Sequence, residues 1–384
     1  MTTASPSAWA AAMTAIGAEG DRLAAEAASR GIDSARVHET ILGVLMDTYL
    51  MQIGSNPDQP TFLPCTGYFQ KLGSPNPDTV YRGATIDPQG TYLISGNRGS
   101  ARDVTLMPFS LLMRGGEPFD LSTISEGSEG HFELLVSAER PLAHSGNWWQ
   151  LQPDTASIWL REVSANWGQE APAEVAIVRL DAKPYRNISV DEMNTKLAKL
   201  AIRVGRIVEY GMKHVDTLQE QEFVNSFRET DYSKSGSMPL QSYHESIFDL
   251  AADECLLVEA RLPADCNYFS WSLTDRMLVT LDWMNTQTSI NSAQAKIDSD
   301  GVLRVVVAAS DPGVPNWMNT LGLQQGVIQC RTSGSTVAPE MTATVVPLAE
   351  ITARVPANTP RVSPDERFAA LQNRTRAWQL RRIW

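Results

Sequence analysis

The chain has 384 residues, of which 43% are hydrophobic and 20% are charged, and its formal net charge is −12. A chain of this length and apolar content can bury a large core and is expected to fold as two or three structural units. The acidic balance argues against nucleic acid as a partner, because binding to a phosphate backbone needs clustered Lys and Arg.

Signals for export and membrane insertion are weak throughout the sequence. The first 31 residues have a mildly apolar middle without a basic lead or a clear cleavage site, so we interpret them as helix. No run of 18 apolar residues follows, and we expect no membrane partner. The four cysteines have no C-x-x-C spacing, which favours free thiols in a reducing compartment. We therefore expect a cytoplasmic location.

The first two predicted units differ in the period of their apolar residues. Residues 1–58 show helical spacing and are predicted to form N-terminal helices. Residues 59–185 change to short alternating segments such as "TYLISGNRG" and "DVTLMPF", separated by Gly, Pro, Asn and Asp. This pattern is typical of antiparallel sheet and predicts a first β-sandwich.

A helical segment is predicted to separate this sandwich from a second one. In residues 186–250, Ser189 and Glu192 form a capping-box pattern ahead of an apolar stripe that extends to about Lys213. Strands return in residues 251–350, and residues 351–384 form a linker and a basic helix. The predicted fold is mixed but mainly β, with two antiparallel sandwiches, a helical middle and helical termini. No internal repeat is apparent.

Most catalytic templates are missing from the sequence. It contains no G-x-G-x-x-G at a strand–helix junction, no P-loop, no G-x-S-x-G and no H-E-x-x-H. The five histidines lie in separate segments without ligand spacing. We therefore predict no metal site and no cofactor, although carboxylates could still bind Ca²⁺ through oxygen ligands.

Two long segments resemble a known bacterial family. They run from Asn76 to Gly96 ("NPDTVYRGATIDPQGTYLISG") and from Tyr268 to Gly322. They are similar to the family that carries DUF1214, a domain of unknown function that relatives pair with DUF1254, and the match covers most of residues 60–335. The resemblance implies an N-terminal sandwich, a helical middle and a jelly-roll-like C-terminal sandwich, and it implies no activity. One departure is Thr332, where the family pattern has an aromatic residue.

The turn "SPNPDTVYRG" is the first candidate site. Its prolines stiffen the chain, and Asn76 and Asp78 can cap the turn, which is a sufficient structural explanation. The functional interpretation is that Asp78, Tyr81 and Arg82 offer a carboxylate, a phenol and a cation to one ligand. Because side chains alternate along a strand, only Tyr81 or Arg82 can face a given pocket.

The second candidate site is amide-rich and lies in the C-terminal unit. Its polar cluster either forms a solvated loop or binds sugar or carboxylate oxygens. The loop "DPGVPNWMNTLG" adds a carboxylate, an amide and an aromatic platform, although its Trp could equally close the end of a sandwich. The substrate-binding candidates of the two sites are Asn76, Arg82, Tyr268, Trp271, Asn285, Gln287, Ser289, Asn291, Asn316 and Trp317.

The favoured hypothesis is a cofactor-independent lyase or hydrolase acting on a small oxygenated substrate, either a carbohydrate or an oxygenated ring compound. Its cleft would lie between the two β domains. Asp78 or Asp311 with Tyr81 would perform acid/base catalysis, and Arg161 or Arg82 would stabilise negative charge. Arg161 lies in an apolar strand, where a structural ion pair explains it as well as anion binding does.

Two alternatives remain open at the sequence level. The same cleft could belong to a non-catalytic small-molecule or glycan-binding protein. The basic C-terminal helix, with Phe368, Trp378 and Trp384, could instead dock on its own subunit or on a partner. If the partner is a second copy of the chain, the protein is a homodimer, which is the assembly that we favour.

Overall fold

The computed structural model describes residues 7–124, 130–181, 184–232, 238 and 241–383. Four sheets form two sandwich-like domains, with helices at both ends of the chain and between the sandwiches. The predicted fold class is therefore confirmed.

Two helices precede the first sandwich. Helix α1 spans Ala8–Ala28 and α2 spans Ser34–Thr48, and a π-helical turn over Tyr49–Ile53 continues α2. Both helices begin at a side-chain cap, since the oxygens of Ser7 and Asp33 accept hydrogen bonds from the first turn.

The first sandwich consists of a five-stranded and a four-stranded sheet. Their orders are β1-β2-β8-β4-β5 and β7-β6-β3-β9. An apolar core that includes Ile94, Leu106, Leu134 and Ile158 lies between them. The strands are β1 Leu63–Pro64, β2 Thr79–Thr85, β3 Tyr92–Asn97, β4 Asp103–Ser110, β5 Phe119–Asp120, β6 His131–Ser137, β7 Trp148–Gln150, β8 Thr155–Val163 and β9 Glu174–Arg179.

Two further helices connect the sandwiches. Helix α3 spans Val190–Leu197 and starts at the capping box of Ser189 and Glu192, as predicted. Helix α4 spans Leu200–Glu220, and its buried stripe packs on α1 and α2. The helical segment ends earlier than the predicted boundary at residue 250, because strands occupy the end of that range.

The second sandwich has a core that includes Trp271, Leu273, Val305 and Ile328. Its sheets have the orders β10-β11-β17-β13-β14 and β16-β15-β12-β18. Its strands are β10 Arg228–Glu229, β11 Gln241–Asp249, β12 Glu254–Arg261, β13 Tyr268–Thr274, β14 Ser289–Asn291, β15 Leu303–Ala308, β16 Trp317–Asn319, β17 Gln325–Ser333 and β18 Glu340–Pro347.

The two sandwiches are a structural repeat. Adding nine to each strand number of the first sandwich reproduces both sheet orders of the second. The one parallel pair among the ladders of each sandwich, β6 with β7 and β15 with β16, also recurs at equivalent places. The sequence does not reveal this repeat, so the expectation of no internal repeat is wrong at the level of structure.

The C-terminal segment returns across both sandwiches. Helix α5 spans Ile351–Arg354, and α6 spans Pro364–Gln379 with a capping box at Ser363 and Glu366. Trp378 of α6 is buried in a small aromatic cluster with residues from both halves of the chain, Trp167 and Trp283.

Candidate functional site

A cavity of about 620 Å³ lies between the two sandwiches. Its walls come from strands β2, β4 and β8 of the first sandwich, from β11 and β17 of the second, and from helices α2 and α4. The volume is in the range of small-molecule sites. The sequence hypothesis also expected a cleft between the two β domains.

The first sandwich contributes a Tyr–Arg pair to this cavity. Tyr81 of β2 and Arg161 of β8 are directly paired across the two strands, and both line the cavity. The guanidinium carbon of Arg161 lies 6.0 Å from the centre of the Tyr81 ring. The Tyr81 hydroxyl accepts a hydrogen bond from the backbone N–H of Asn76 at 3.0 Å, which fixes the phenol.

The second sandwich contributes an equivalent pair. Tyr243 of β11 and Arg331 of β17 are also directly paired and line the same cavity. The guanidinium carbon of Arg331 is 5.6 Å from the Tyr243 ring centre. Arg331 is only 6% exposed and donates hydrogen bonds to the Ser74 carbonyl and the Gln329 side chain.

The two pairs are close enough to interact electrostatically. Burial raises the pKa of Tyr243, while the positive charges of Arg331 and Arg161 both act to lower it. The charge of Arg161 in the first sandwich therefore affects the pKa of Tyr243 in the second. The two pairs therefore converge on one space.

Asp47 at the end of α2 is the carboxylate of the cavity lining. Burial raises its pKa, opposed by Arg203 of α4, whose Nη2 is 3.5 Å from Oδ2. The other oxygen, Oδ1, accepts no hydrogen bond within the described part of the chain. Buried Cys65 interacts electrostatically with both Asp47 and Arg161. Burial and the charge of Asp47 raise the pKa of the Cys65 thiol, and the charge of Arg161 opposes this rise.

A buried carboxylate supports the wall formed by the second sandwich. Glu245 is fully buried and accepts hydrogen bonds from Tyr232 (2.8 Å), Thr230 (2.7 Å) and Gln329 (3.0 Å), and its Oε1 is 2.9 Å from Nε2 of His214. Burial alone would raise its pKa, but these hydrogen bonds and the His214 charge outweigh burial and hold the pKa at about 2. Glu245 thereby fixes Tyr232 and Gln329, which line the cavity.

The cavity is positively charged in an acidic protein. One carboxylate faces five arginines among the described lining residues, and six aromatic side chains complete much of the wall. A lining of one sign focuses the field and attracts ligands of the opposite sign. The five arginines are Arg114, Arg161, Arg203, Arg206 and Arg331.

Asp78 lies outside the cavity lining, in a buried polar cluster. Its carboxylate accepts hydrogen bonds from Tyr268 (2.7 Å), Asn291 (2.7 Å) and Trp167 (2.9 Å), and burial raises its pKa. Asn76 connects the two sites, because it lines the cavity and its amide also donates to the Tyr268 hydroxyl at 2.9 Å. The cluster joins the first sandwich to the second.

The Trp–Asn loop binds an arginine of its own chain. Arg367 of α6 donates to Asp311 Oδ2 at 2.8 Å and to Gln287 Oε1 at 3.0 Å, and its guanidinium lies 5.2 Å from the Trp317 ring centre. Asn316 braces the same loop through the carbonyls of Lys296 and Arg304. From the sequence we expected this loop to bind substrate, whereas the structure places a side chain of α6 against it.

Several other predicted site residues lie outside the cavity, and some of them are buried or bound to α6. Arg82 faces away from the cavity and pairs with Glu162 at 3.1 Å, so β2 presents Tyr81 to the cavity, in accordance with strand alternation. Ser289 accepts a hydrogen bond from Arg374 of α6 at 2.5 Å. Trp271 is fully buried in the second core, and Asn285 is an exposed residue bonded to Asp282.

The C-terminal helix docks on its own chain. Besides Arg367, Arg381 donates to the carbonyls of Pro77 (3.1 Å) and Asp78 (2.7 Å). Phe368 stays 63% exposed, and Trp384 lies outside the described residues.

Sequence reasoning missed Arg331, Tyr243 and Asp47 as site residues. A matching pattern becomes visible once the strand bounds are known: β8 and β17 both have Ile at position four and Arg at position seven, and β2 and β11 both have Tyr at position three. Within the described ranges, no group of three or more His, Cys, Asp or Glu side chains could hold a metal ion. Among the same residues, no helix is both long and apolar enough to cross a membrane.

Comparison with known proteins identifies a solved structure with a similar fold and gives no information about function. No family model and no curated protein matches the chain. The structure is similar to that of an uncharacterized protein from Burkholderia cenocepacia, with a TM-score of 0.82 and 23% identity over 89% of this chain and 97% of that one. The VPA0106 protein from Vibrio parahaemolyticus has a TM-score of 0.45 and 14% identity over 80% of this chain and 98% of that one. The first likeness concerns the fold alone.

Proposed function

We propose that the cavity is the active site of a cofactor-independent lyase or hydrolase that acts on a small, oxygenated, anionic substrate. A carbohydrate acid or an oxygenated ring compound would fit the combination of aromatic rings and arginines in the lining. The resemblance to the DUF1214 family, the cytoplasmic location and the homodimer stay predictions from the sequence.

Asp47 is the observation that carries the proposal. It is a buried carboxyl with a raised pKa in a cavity where the other charged lining groups of the described chain are arginines. A buried carboxyl with a raised pKa that faces a cavity is a candidate general acid or base. Catalytic roles for the two predicted carboxylates, Asp78 and Asp311, gain no support from the cavity geometry, since both are engaged elsewhere.

The roles follow from the geometry of the lining. As a base, Asp47 would accept a proton either from a carbon next to a substrate carboxylate, with expulsion of a group from the adjacent carbon, or from an attacking water. Arg161 and Arg331 would stabilise the negative charge that develops on the substrate oxygens. Tyr81, held by the backbone N–H of Asn76, would orient the substrate through its hydroxyl.

A two-stage experiment tests this proposal. Thermal melting in the presence of sugar acids, hydroxy acids and aromatic carboxylates identifies ligands, because a compound that binds only the folded state raises the melting temperature. NMR of each stabilising compound incubated with the protein then detects conversion. Asp47→Asn should keep the melting shift and lose conversion, whereas Asp154→Asn, a change at an exposed site, should retain both. Conversion by Asp47→Asn at the wild-type rate would disprove the role of Asp47.

A non-catalytic binding protein is the second candidate. The ion pair of Asp47 with Arg203 favours it, because this contact gives the carboxylate a structural role without chemistry. In that case the stabilising compounds would be recovered unchanged.

A further inference from the structure

We propose that the cavity selects a small dianion, such as a dicarboxylate, whose two acidic groups are each held by one of the two repeated Tyr–Arg pairs. This inference names the substrate class of the cavity and rests on the proposed function only in taking that cavity as the ligand site.

The repeat brings two equivalent anion-binding positions to one space. Arg161 and Arg331 are each the seventh residue of a nine-residue strand, and Tyr81 and Tyr243 are each the third residue of the neighbouring strand. The cross-strand register pairs Tyr with Arg in both sandwiches. Each guanidinium also lies at a similar distance from its Tyr ring, 6.0 Å and 5.6 Å.

Arg331 lacks an anionic partner among the described residues. Its hydrogen bonds go to neutral acceptors: the Ser74 carbonyl, the Gln329 amide oxygen and, at 3.5 Å, the Ser272 hydroxyl. A charge that is 6% exposed is costly to bury without a counter-charge. A ligand carboxylate would supply this counter-charge, and guanidinium groups bind carboxylates with two parallel hydrogen bonds.

The local surroundings of Arg331 support this interpretation. Ser74, which also lines the cavity, has a left-handed backbone with φ of 51°, and its buried hydroxyl has no hydrogen-bond partner in the described chain. A strained residue with an unsatisfied hydroxyl beside an arginine is typical of ligand sites.

The other lining residues indicate which kind of linker would join the two acidic groups of the ligand. Phe109, Trp159 and Tyr210 offer ring surfaces, which suit an aromatic or other ring-shaped linker. Asp47 would repel an acidic group placed against α2. Of the other lining arginines, Arg203 is paired with Asp47. Arg114 and Arg206 are exposed, so the Tyr–Arg pairs are the two proposed positions for negative charge.

Calorimetric titration with matched probes tests the inference. Each probe pair consists of a dicarboxylate and its monoamide, which differ by one charge at nearly equal shape: benzene-1,4-dicarboxylate with 4-carbamoylbenzoate, and hexanedioate with its monoamide. The wild type should bind the better-fitting dicarboxylate about 10- to 100-fold more tightly than its monoamide, as expected for one added charge-assisted contact. Arg161→Gln should weaken binding of the dicarboxylate more than binding of the monoamide and so abolish this preference.

Two controls keep the result interpretable. Arg376→Gln removes an exposed arginine of α6 and should leave both affinities unchanged. Arg331→Lys retains the charge but not the paired donors, and it should weaken dicarboxylate binding while thermal melting without ligand confirms that the variant is folded.

The outcomes separate this inference from the proposed function. Equal affinity for dicarboxylates and monoamides would overturn the inference and leave a site for monoanions. Arg161→Gln weakening both probes equally would also overturn it, because the two pairs would then act on one group. Tighter binding of a dicarboxylate than of its monoamide supports the inference whether or not the cavity is catalytic. Failure of all four probes to bind would contradict both proposals.

Discussion

Arg161 and Arg331 occupy the same position in equivalent strands of two different sandwiches, and both line one cavity. The repeat therefore does more than duplicate a fold. It places two copies of a Tyr–Arg pair in the lining of one cavity, one from each sandwich, and α2 adds a carboxyl whose pKa is raised by burial. The cavity is a product of the association of both halves of the chain.

The hydrogen-bonded cluster around Asp78 is predicted to hold the two sandwiches together. Tyr268→Phe removes one hydroxyl that donates to Asp78 and accepts from Asn76. We expect a loss of about 1–3 kcal/mol in the free energy of unfolding, because buried polar partners are left unsatisfied. Urea denaturation measures this loss. Tyr185→Phe, at an exposed tyrosine, is the matched control, and equal stability of the two variants would contradict a structural role for the cluster.

Arg367 is predicted to anchor the C-terminal helix. Arg367→Ala removes the ion pair with Asp311 and leaves Gln287 and Trp317 without their partner. Arg367 is buried but Asp311 is partly exposed, so the loss is expected to be about 1–3 kcal/mol, as for a charge-assisted hydrogen bond. Arg376→Ala, in the exposed part of the same helix, should change the melting temperature little.

Deletion of the chain after Val362 tests the docking of the whole helix. We expect a lower melting temperature, since buried Trp378 and the contacts of Arg367 and Arg381 are lost. Light scattering on the same sample tests the predicted homodimer. An unchanged melting temperature and an unchanged mass would show that the helix contributes neither to stability nor to assembly.

Acid should destabilise the wall that Glu245 supports. Its pKa is lowered from 4.5 to about 2 in the folded state, so its stabilising effect is complete above pH 4.5 and is lost as the pH falls toward 2. One pKa unit corresponds to about 1.4 kcal/mol, so this group contributes at most about 3–4 kcal/mol.

Denaturation at several pH values measures this contribution. Glu245→Gln should be less stable at neutral pH, because an amide brings a donor into a cluster of donors, and its stability should depend less on pH between 4.5 and 2. Glu139→Gln, at an exposed position, should follow the wild-type pH profile. An identical profile for both variants would contradict the account of Glu245.

The sequence indicated the architecture because periodicity and caps are local properties. The alternation in residues 59–185 and the capping boxes at Ser189 and Ser363 each depend on a few neighbouring residues, and the structure has the elements that they predict. The predicted helical middle extends too far, because the segment before the strand that begins at Gln241 has no clear period.

The cavity could not be predicted in the same way. Its walls combine Asp47, Tyr81 and Arg331, which are separated by long stretches of chain, and only the packing of the two sandwiches on α4 brings them together. The repeat is difficult to see in the sequence because many different sequences satisfy the same pattern of alternation and burial. The two sandwiches can therefore share a strand order with few identical residues.

The loop "DPGVPNWMNTLG" shows a further limit of sequence reasoning. Its carboxylate and aromatic ring are candidates for substrate binding from the sequence, and the structure places both against an arginine side chain. The occupant is Arg367, and no local pattern around Asp311 or Trp317 identifies a partner about 50 residues further along the chain.

A crystal structure of the protein with the dicarboxylate or sugar acid that raises its melting temperature most would test the central claim most directly. We predict ligand density between the Tyr81–Arg161 and Tyr243–Arg331 pairs, with an acidic group on at least one guanidinium. Density at another place, with the space between the two pairs empty at full ligand occupancy, would show that the cavity is not the functional site.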